Sequence, residues 1–238
     1  MEFGEFIEST KKFARDSDKI RVVQAKGIKP VLKPEKGYII ALRFSPEVEE
    51  VVKTLAGKIA QTAPAIAFQE VYTPIAAITD KNEAYSVQNI EQSLAELIGS
   101  GTTREIKSLD APGLLFRSWL CNQKQVVAIA DPTRSFFEIF TGMEYRALRQ
   151  KNILLSTPKA VYVQAARFTE ERTSEQLKDF LALIKTTPSI GQTLKTPSTE
   201  QTHGSTIITP TFIEAARYEL SPEGFKYERL AREELRVK

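Results

Sequence analysis

Val161-Tyr162-Val163-Gln164-Ala165-Ala166-Arg167-Phe168-Thr169-Glu170 reads as a strand that ends at the start of an amphipathic helix. Strand side chains two apart share a face, so Tyr162 and Gln164 point the same way. An echo stands 90 residues earlier (162 − 72), in Tyr72-Thr73-Pro74-Ile75-Ala76-Ala77-Ile78. Tyr72 and Pro74 share a face there if the strand is regular. A second echo pairs Ile39–Glu47 with Val163–Glu171, each a strand ending in Arg-Phe before a helix. On this pairing Arg43 and Arg167 occupy matching positions, and two β-α-β units point to two related lobes.

Outward from these strands, Tyr38–Phe44 is apolar almost throughout, as a strand covered on both faces should be. Ser45 and Pro46 suit the N-cap and first position of a helix, with Val48, Val51, Val52, Leu55 and Ile59 as its apolar stripe. Pro74, inside Ala65–Ile78, implies an edge, a bulge or a break. Ser86 can cap a helix carrying Val87, Ile90, Leu94 and Leu97. Two strands follow, with a hairpin near Gly113–Arg117 or Asn122–Lys124. Asp131-Pro132 then opens a helix to about Lys151, with Gly142 as a point of interruption and Arg134, Arg146 and Arg149 as a basic side. Thr173 and Gln176 fit a capping box. A loop with His203 leads to a strand over Ile207–Leu220, the turn Ser221–Gly224 and a last strand or helical turn over Phe225–Leu235. Residues 1–36 read as an extension with a short amphipathic helix, laid against a main body at 37–238. A membrane-surface helix is the alternative.

The totals narrow the function classes. A chain of 238 residues with 42% hydrophobic and 26% charged residues can bury a sizeable core, as one large domain or two small lobes. A net charge of +3 argues against a strong electrostatic DNA binder and leaves nucleic-acid contact to a local patch. The single cysteine, Cys121, allows no intrachain disulfide and reads as a small buried hydrophobe. The acidic N-terminus lacks an apolar signal core, and no apolar run reaches the roughly 18 residues needed to span a bilayer. The expectation is a cytoplasmic protein with no membrane contact. No spacing of ligating residues supports a metal, and Walker, Gly-x-Gly-x-x-Gly, nucleophile-elbow and zinc-helix motifs are missing, so no cofactor is expected.

Three stretches together resemble the two-histidine (2H) phosphoesterases, the 2′,5′ RNA ligase-like family. They are Tyr38 through Ile78, then Tyr162–Phe168 at the place of a His-x-Thr-Leu-Ala-Arg-Phe type of strand, and Glu219–Leu230 as a closing strand, turn and strand. Together they cover most of residues 38–235. The resemblance implies an α+β fold of two pseudo-symmetric β-α-β lobes, with antiparallel sheets enclosing a central groove. Each lobe would bring one His-x-Thr/Ser to the floor, one histidine acting as base and the other as acid on a 2′-hydroxyl or cyclic phosphate.

The sequence departs from this pattern at the decisive positions. Tyr72 and Tyr162 stand where the histidines would be, and Pro74 and Gln164 where the hydroxyl residues would be. A histidine exchanges protons near neutrality, whereas a phenol titrates near 10 and is a poor base unless strongly perturbed. The chain has one histidine in all, so a pair cannot form. The expectation is therefore a non-catalytic protein binding a nucleotide, cyclic phosphate, RNA end or other anionic ligand through Tyr72, Tyr162, Gln164, Arg43 and Arg167. The alternatives are a phosphodiesterase with altered chemistry, using Tyr72, Tyr162 or His203, and a structural interaction protein whose extension occludes the groove. Oligomeric state stays open.

Overall fold

The apolar run at 38–43 lies in β1 (Glu35–Arg43), a central strand between two neighbours and buried from residue 37 onward. Its alternate residues serve two different interiors. Tyr38, Ile40 and Leu42 enter the main core, while Ile39 and Ala41 join Ala216 and Tyr218 on the opposite face. Ser45 and Pro46 then start α1 (Pro46–Thr62), whose Val48, Val52, Leu55 and Ile59 are buried. The computed structural model describes residues 2–30, 33–79, 87–99, 112–151, 155–156, 158–194, 201–202 and 205–235.

After α1 come β2 (Ala65–Ala67), β3 (Tyr72–Thr79), α2 (Val87–Leu97), β4 (Leu114–Cys121) and β5 (Gln125–Pro132). Next are α3 (Arg134–Lys151), β6 (Val161–Phe168), a 3-10 turn (Glu175–Leu177), α4 (Lys178–Thr186) and α5 (Ile190–Thr193). The chain closes with β7 (Gln201–Thr202), β8 (Ser205–Ile208), β9 (Phe212–Ser221) and β10 (Gly224–Glu234). One sheet has the order β10-β9-β1-β3 and the other β2-β6-β5-β4-β8-β7. Every strand pairing among the described residues is antiparallel.

The two lobes repeat with a period of 90 residues: β1-α1-β3 matches β5-α3-β6, because 35 + 90 = 125 and 72 + 90 = 162. Both third strands carry a bulge at the same place. Ala41 pairs with Pro74 and Ile40 with Ala76, so Ile75 is the extra residue. Val127 pairs with Gln164 and Val126 with Ala166, so Ala165 is the extra one, again 90 later (75 + 90). A bulge shifts the side-chain alternation by one. Tyr72, Pro74 and Ala77 thus share a face, as do Tyr162, Gln164 and Arg167.

The connections cross between lobes. Ile66 of β2 pairs with Arg167 of the second lobe, while Ser156 bridges to Ala77 of the first. These are again the same pair of positions (66 + 90 = 156; 77 + 90 = 167). This geometry corrects the expected Arg43/Arg167 match: the counterpart of Arg167 is Ala77, and Arg43 lies on a different strand of its unit.

Other boundaries move for local reasons. Pro132 ends β5 opposite Leu114 instead of opening α3. The hydroxyl of Thr133 accepts from the Phe136 and Gly113 amides at 3.4 and 2.9 Å and takes the cap. Gly142 does not interrupt α3. The hairpin closes at Asn122, whose Oδ1 accepts from the Lys124 and Gln125 amides at 2.9 and 3.1 Å. The stretch expected as one strand over Ile207–Leu220 is two, β8 and β9, in different sheets, with Pro210 between them.

Two further helices precede β1: Phe3–Ser17 and Ile20–Lys26. The first is the expected amphipathic helix, and its apolar face meets protein. Phe6 is fully buried against Phe137 and Phe140 of α3. The second helix carries the buried Val23 into the core and leads to Ile28, which bridges to Arg172. Gly27 makes that approach possible: its φ is +73°, and a Cβ there would lie 1.9 Å from the Arg172 carbonyl oxygen. No described helix is long and apolar enough to cross a membrane.

Candidate functional site

The two bulged strands face each other across a cleft with a cavity of about 200 Å³. Tyr72, Pro74 and Ala77 line it from the first lobe, and Tyr162, Gln164 and Arg167 from the second. The strands also touch directly, the Thr73 hydroxyl donating to the Tyr162 carbonyl at 3.2 Å. This contact fixes the spacing of the two tyrosines. The sequence-expected residues Tyr72, Tyr162, Gln164 and Arg167 are therefore brought together.

Each has a defined environment. Tyr72 stacks on Tyr227 at 5.3 Å and on Phe225 at 6.3 Å. Phe13, from the first helix of the extension, stacks on Tyr162 at 5.3 Å. Burial pushes both phenols above their ordinary range, Tyr162 adding to the effect at Tyr72 and Glu35 at Tyr162. Both remain protonated at neutral pH, which makes them poor bases. The Gln164 amide donates to the Gln125 side-chain oxygen at 3.0 Å. Arg167 is half-buried opposite Gln125 and makes no ion pair among the described residues.

Arg43 sits elsewhere and does not line the cleft. Its Nη1 donates to Glu70 at 2.6 Å and to Glu214 at 2.9 Å, and its Nε and Nη2 donate to Glu49 at 3.2 and 2.9 Å. Burial works against its charge, but Glu214, Glu49 and Glu70 outweigh it and hold the guanidinium charged. Tyr227 donates to the same Glu214, which is fully buried. With its donors engaged by three carboxylates, Arg43 is placed as a structural cation, away from the cleft where the sequence reading expected it. His203 lies outside the described residues. So do the side chains of Arg146 and Arg149, while Arg134 pairs with Glu138 on the surface.

Several cleft residues carry no sequence signal. Glu35 accepts from the Tyr218 hydroxyl at 2.8 Å, and Glu70 reaches in from the connection before β3. Phe68 and Phe225 form an aromatic pair at 4.7 Å. Gln125 is a cleft residue only because β5 pairs with β6. Cys121 plays no part: it is buried, and burial pushes its thiol up to about 12. Among the described residues no group of three or more His, Cys, Asp or Glu side chains is placed to hold a metal.

The arrangement of lobes has solved counterparts. The crystal structure of TT0787 from Thermus thermophilus superposes with a TM-score of 0.51 at 13% identity, over 85% of this chain and 99% of that one. A phosphoesterase crystal structure gives 0.48 at 13% identity over 84% and 98% of the two chains. E. coli LigT in its apo form gives 0.47 at 14% over 85% and 98%. The two-lobed α+β fold is thus shared with TT0787. No family model and no curated protein sequence matches the chain. LigT has also been crystallised with phosphate, NADP+, 3′-AMP and ATP. The single histidine of this chain cannot form a histidine pair.

Proposed function

We propose that this protein binds a small anionic ligand, such as a nucleotide, a cyclic phosphate or an RNA end, in the inter-lobe cleft and does not cleave it. The observation that carries the reading is Arg167, a half-buried cation that lines the cleft without a carboxylate partner among the described residues. A guanidinium so placed favours a phosphate or carboxylate, which can accept two of its hydrogen bonds at once. Gln164, Tyr72 and Tyr162 supply further donors on the same surface. Catalysis by a histidine pair is excluded by the count of histidines, and phenols held protonated by burial do not replace the missing base. In this reading the strands from Glu35 onward carry the cleft, and the first helix braces it through Phe13. The single buried cysteine fits a reducing, cytoplasmic setting.

Calorimetric titration of inorganic phosphate, 3′-AMP, a 2′,3′-cyclic phosphate and a short RNA into wild type and Arg167→Ala tests the reading. Binding by at least one of these, weakened about tenfold in the variant, is expected. No binding at millimolar concentration, or binding indifferent to Arg167, overturns it. Hydrolysis of the cyclic phosphate that disappears in Tyr162→Phe overturns the non-catalytic part.

A further inference from the structure

The two halves of the cleft are equal in backbone and unequal in chemistry. Positions related by the 90-residue repeat carry Tyr72, Pro74 and Ala77 on one side and Tyr162, Gln164 and Arg167 on the other. Proline and alanine side chains donate no hydrogen bond and carry no charge. All the anion-binding capacity of the paired strands beyond the two phenols therefore lies in the second lobe.

The remaining charges in the lining are negative. Glu35 and Glu70 both border the cavity. Neither is free to swing out of the way at no cost: Tyr218 donates to Glu35, and Arg43 donates to Glu70 at 2.6 Å. The charge on Arg43 is shared with the buried Glu214 and with Glu49, so it does not serve the cleft as a second open cation. The cavity, about 200 Å³, is also below the roughly 300–1,000 Å³ typical of sites for drug-sized ligands.

We infer that the cleft selects by the number of anionic groups, taking a compact ligand with one phosphate or carboxylate on Arg167 and Gln164 and rejecting ligands with two or more adjacent ones. The attraction comes from one guanidinium. The discrimination comes from fixed carboxylates that a second anionic group would have to approach. Ala77 is the specificity-determining position, because an arginine there would restore the symmetry that the first lobe lacks. This inference rests on the proposed anion-binding reading and makes it narrower.

The experiment compares AMP with ATP, and phosphate with pyrophosphate, by calorimetry in magnesium-free buffer. Wild type, Ala77→Arg and Glu35→Gln are used. Wild type is expected to bind AMP about tenfold more tightly than ATP, and phosphate more tightly than pyrophosphate. Ala77→Arg is expected to remove or reverse that preference. Glu35→Gln, an isosteric change at an exposed position that keeps an acceptor for Tyr218, is expected to reduce it even if Ala77→Arg fails to fold. If ATP binds wild type as tightly as AMP, or if neither variant that folds changes the ratio, the selectivity inference fails while anion binding stands. If wild type binds none of the four, both readings fall together.

Discussion

The ring of Phe13 lies on the ring of Tyr162, centroids 5.3 Å apart and planes 22° from parallel. One partner comes from the N-terminal extension and the other from the cleft strand of the second lobe. Val127 and Ile129, opposite Gln164 and Tyr162, are 0% and 1% exposed, and the first helix packs on β5 beside them. The first helix thus supports a ring that lines the cleft. Phe13→Ala should lower unfolding stability by about 1–3 kcal/mol, through lost burial and a lost ring contact. It should also weaken ligand binding, because the Tyr162 ring loses its support. Urea unfolding midpoints measure the first effect. Tyr162→Phe, which keeps the stack, should leave stability nearly unchanged.

Arg43 should matter for folding far more than any surface arginine. Arg43→Ala leaves the fully buried Glu214 without its cation and the largely buried Glu49 with only Lys53. Removing one member of a buried charge group typically costs about 3–5 kcal/mol. Arg217 is the control: its pairs with Glu228 and Glu91 lie in solvent, and Arg217→Ala should cost less than about 1 kcal/mol. A similar loss in both variants, in denaturant melts, would contradict the assignment of Arg43 as a structural cation.

The protein should lose stability in alkali. Burial holds the phenols of Tyr72, Tyr218 and Tyr227 above their ordinary value, assisted by Tyr162 at Tyr72, by Glu35 at Tyr218 and by Glu214 at Tyr227. The unfolded chain releases these protons as pH passes about 10, whereas the folded chain keeps them. The contribution is fully present below about pH 10 and falls as pH rises beyond it. Urea unfolding at a series of pH values from about 8 to about 11 should show this decline, and Tyr72→Phe should make it shallower. A profile flat across that range would mean that the phenols ionise as easily in the fold as out of it.

Much of the architecture was legible because the burial pattern is local. The apolar run at 38–43 and the Ser45-Pro46 helix start could be read directly, as could the shared face of Tyr162 and Gln164. The bulges were not legible. Ile75 and Ala165 look like ordinary strand residues, yet each shifts the alternation beyond it and brings Ala77 and Arg167 into the cleft. That is why an Arg-Phe likeness paired Arg43 with Arg167, while the true repeat pairs Arg167 with Ala77. Pro132 misled for a related reason: a proline before a helix and a proline ending a strand look alike in sequence. Glu35, Glu70 and Gln125 join the site only through long-range pairing, which no short motif encodes.

The crossed connections have a consequence for how this molecule can be divided. Ile66 completes the sheet of the second lobe, Ser156 bridges back to the first, and β9 and β10 return from the chain's end to flank β1. A cut between Gly99 and Gly113 would leave two fragments, each holding strands that belong in the other's sheet. Neither fragment has a complete interior to close on its own. The lobes are therefore a visual division and not a mechanical one: the pieces should fold only as a complementing pair, and the intact chain should melt in one cooperative step.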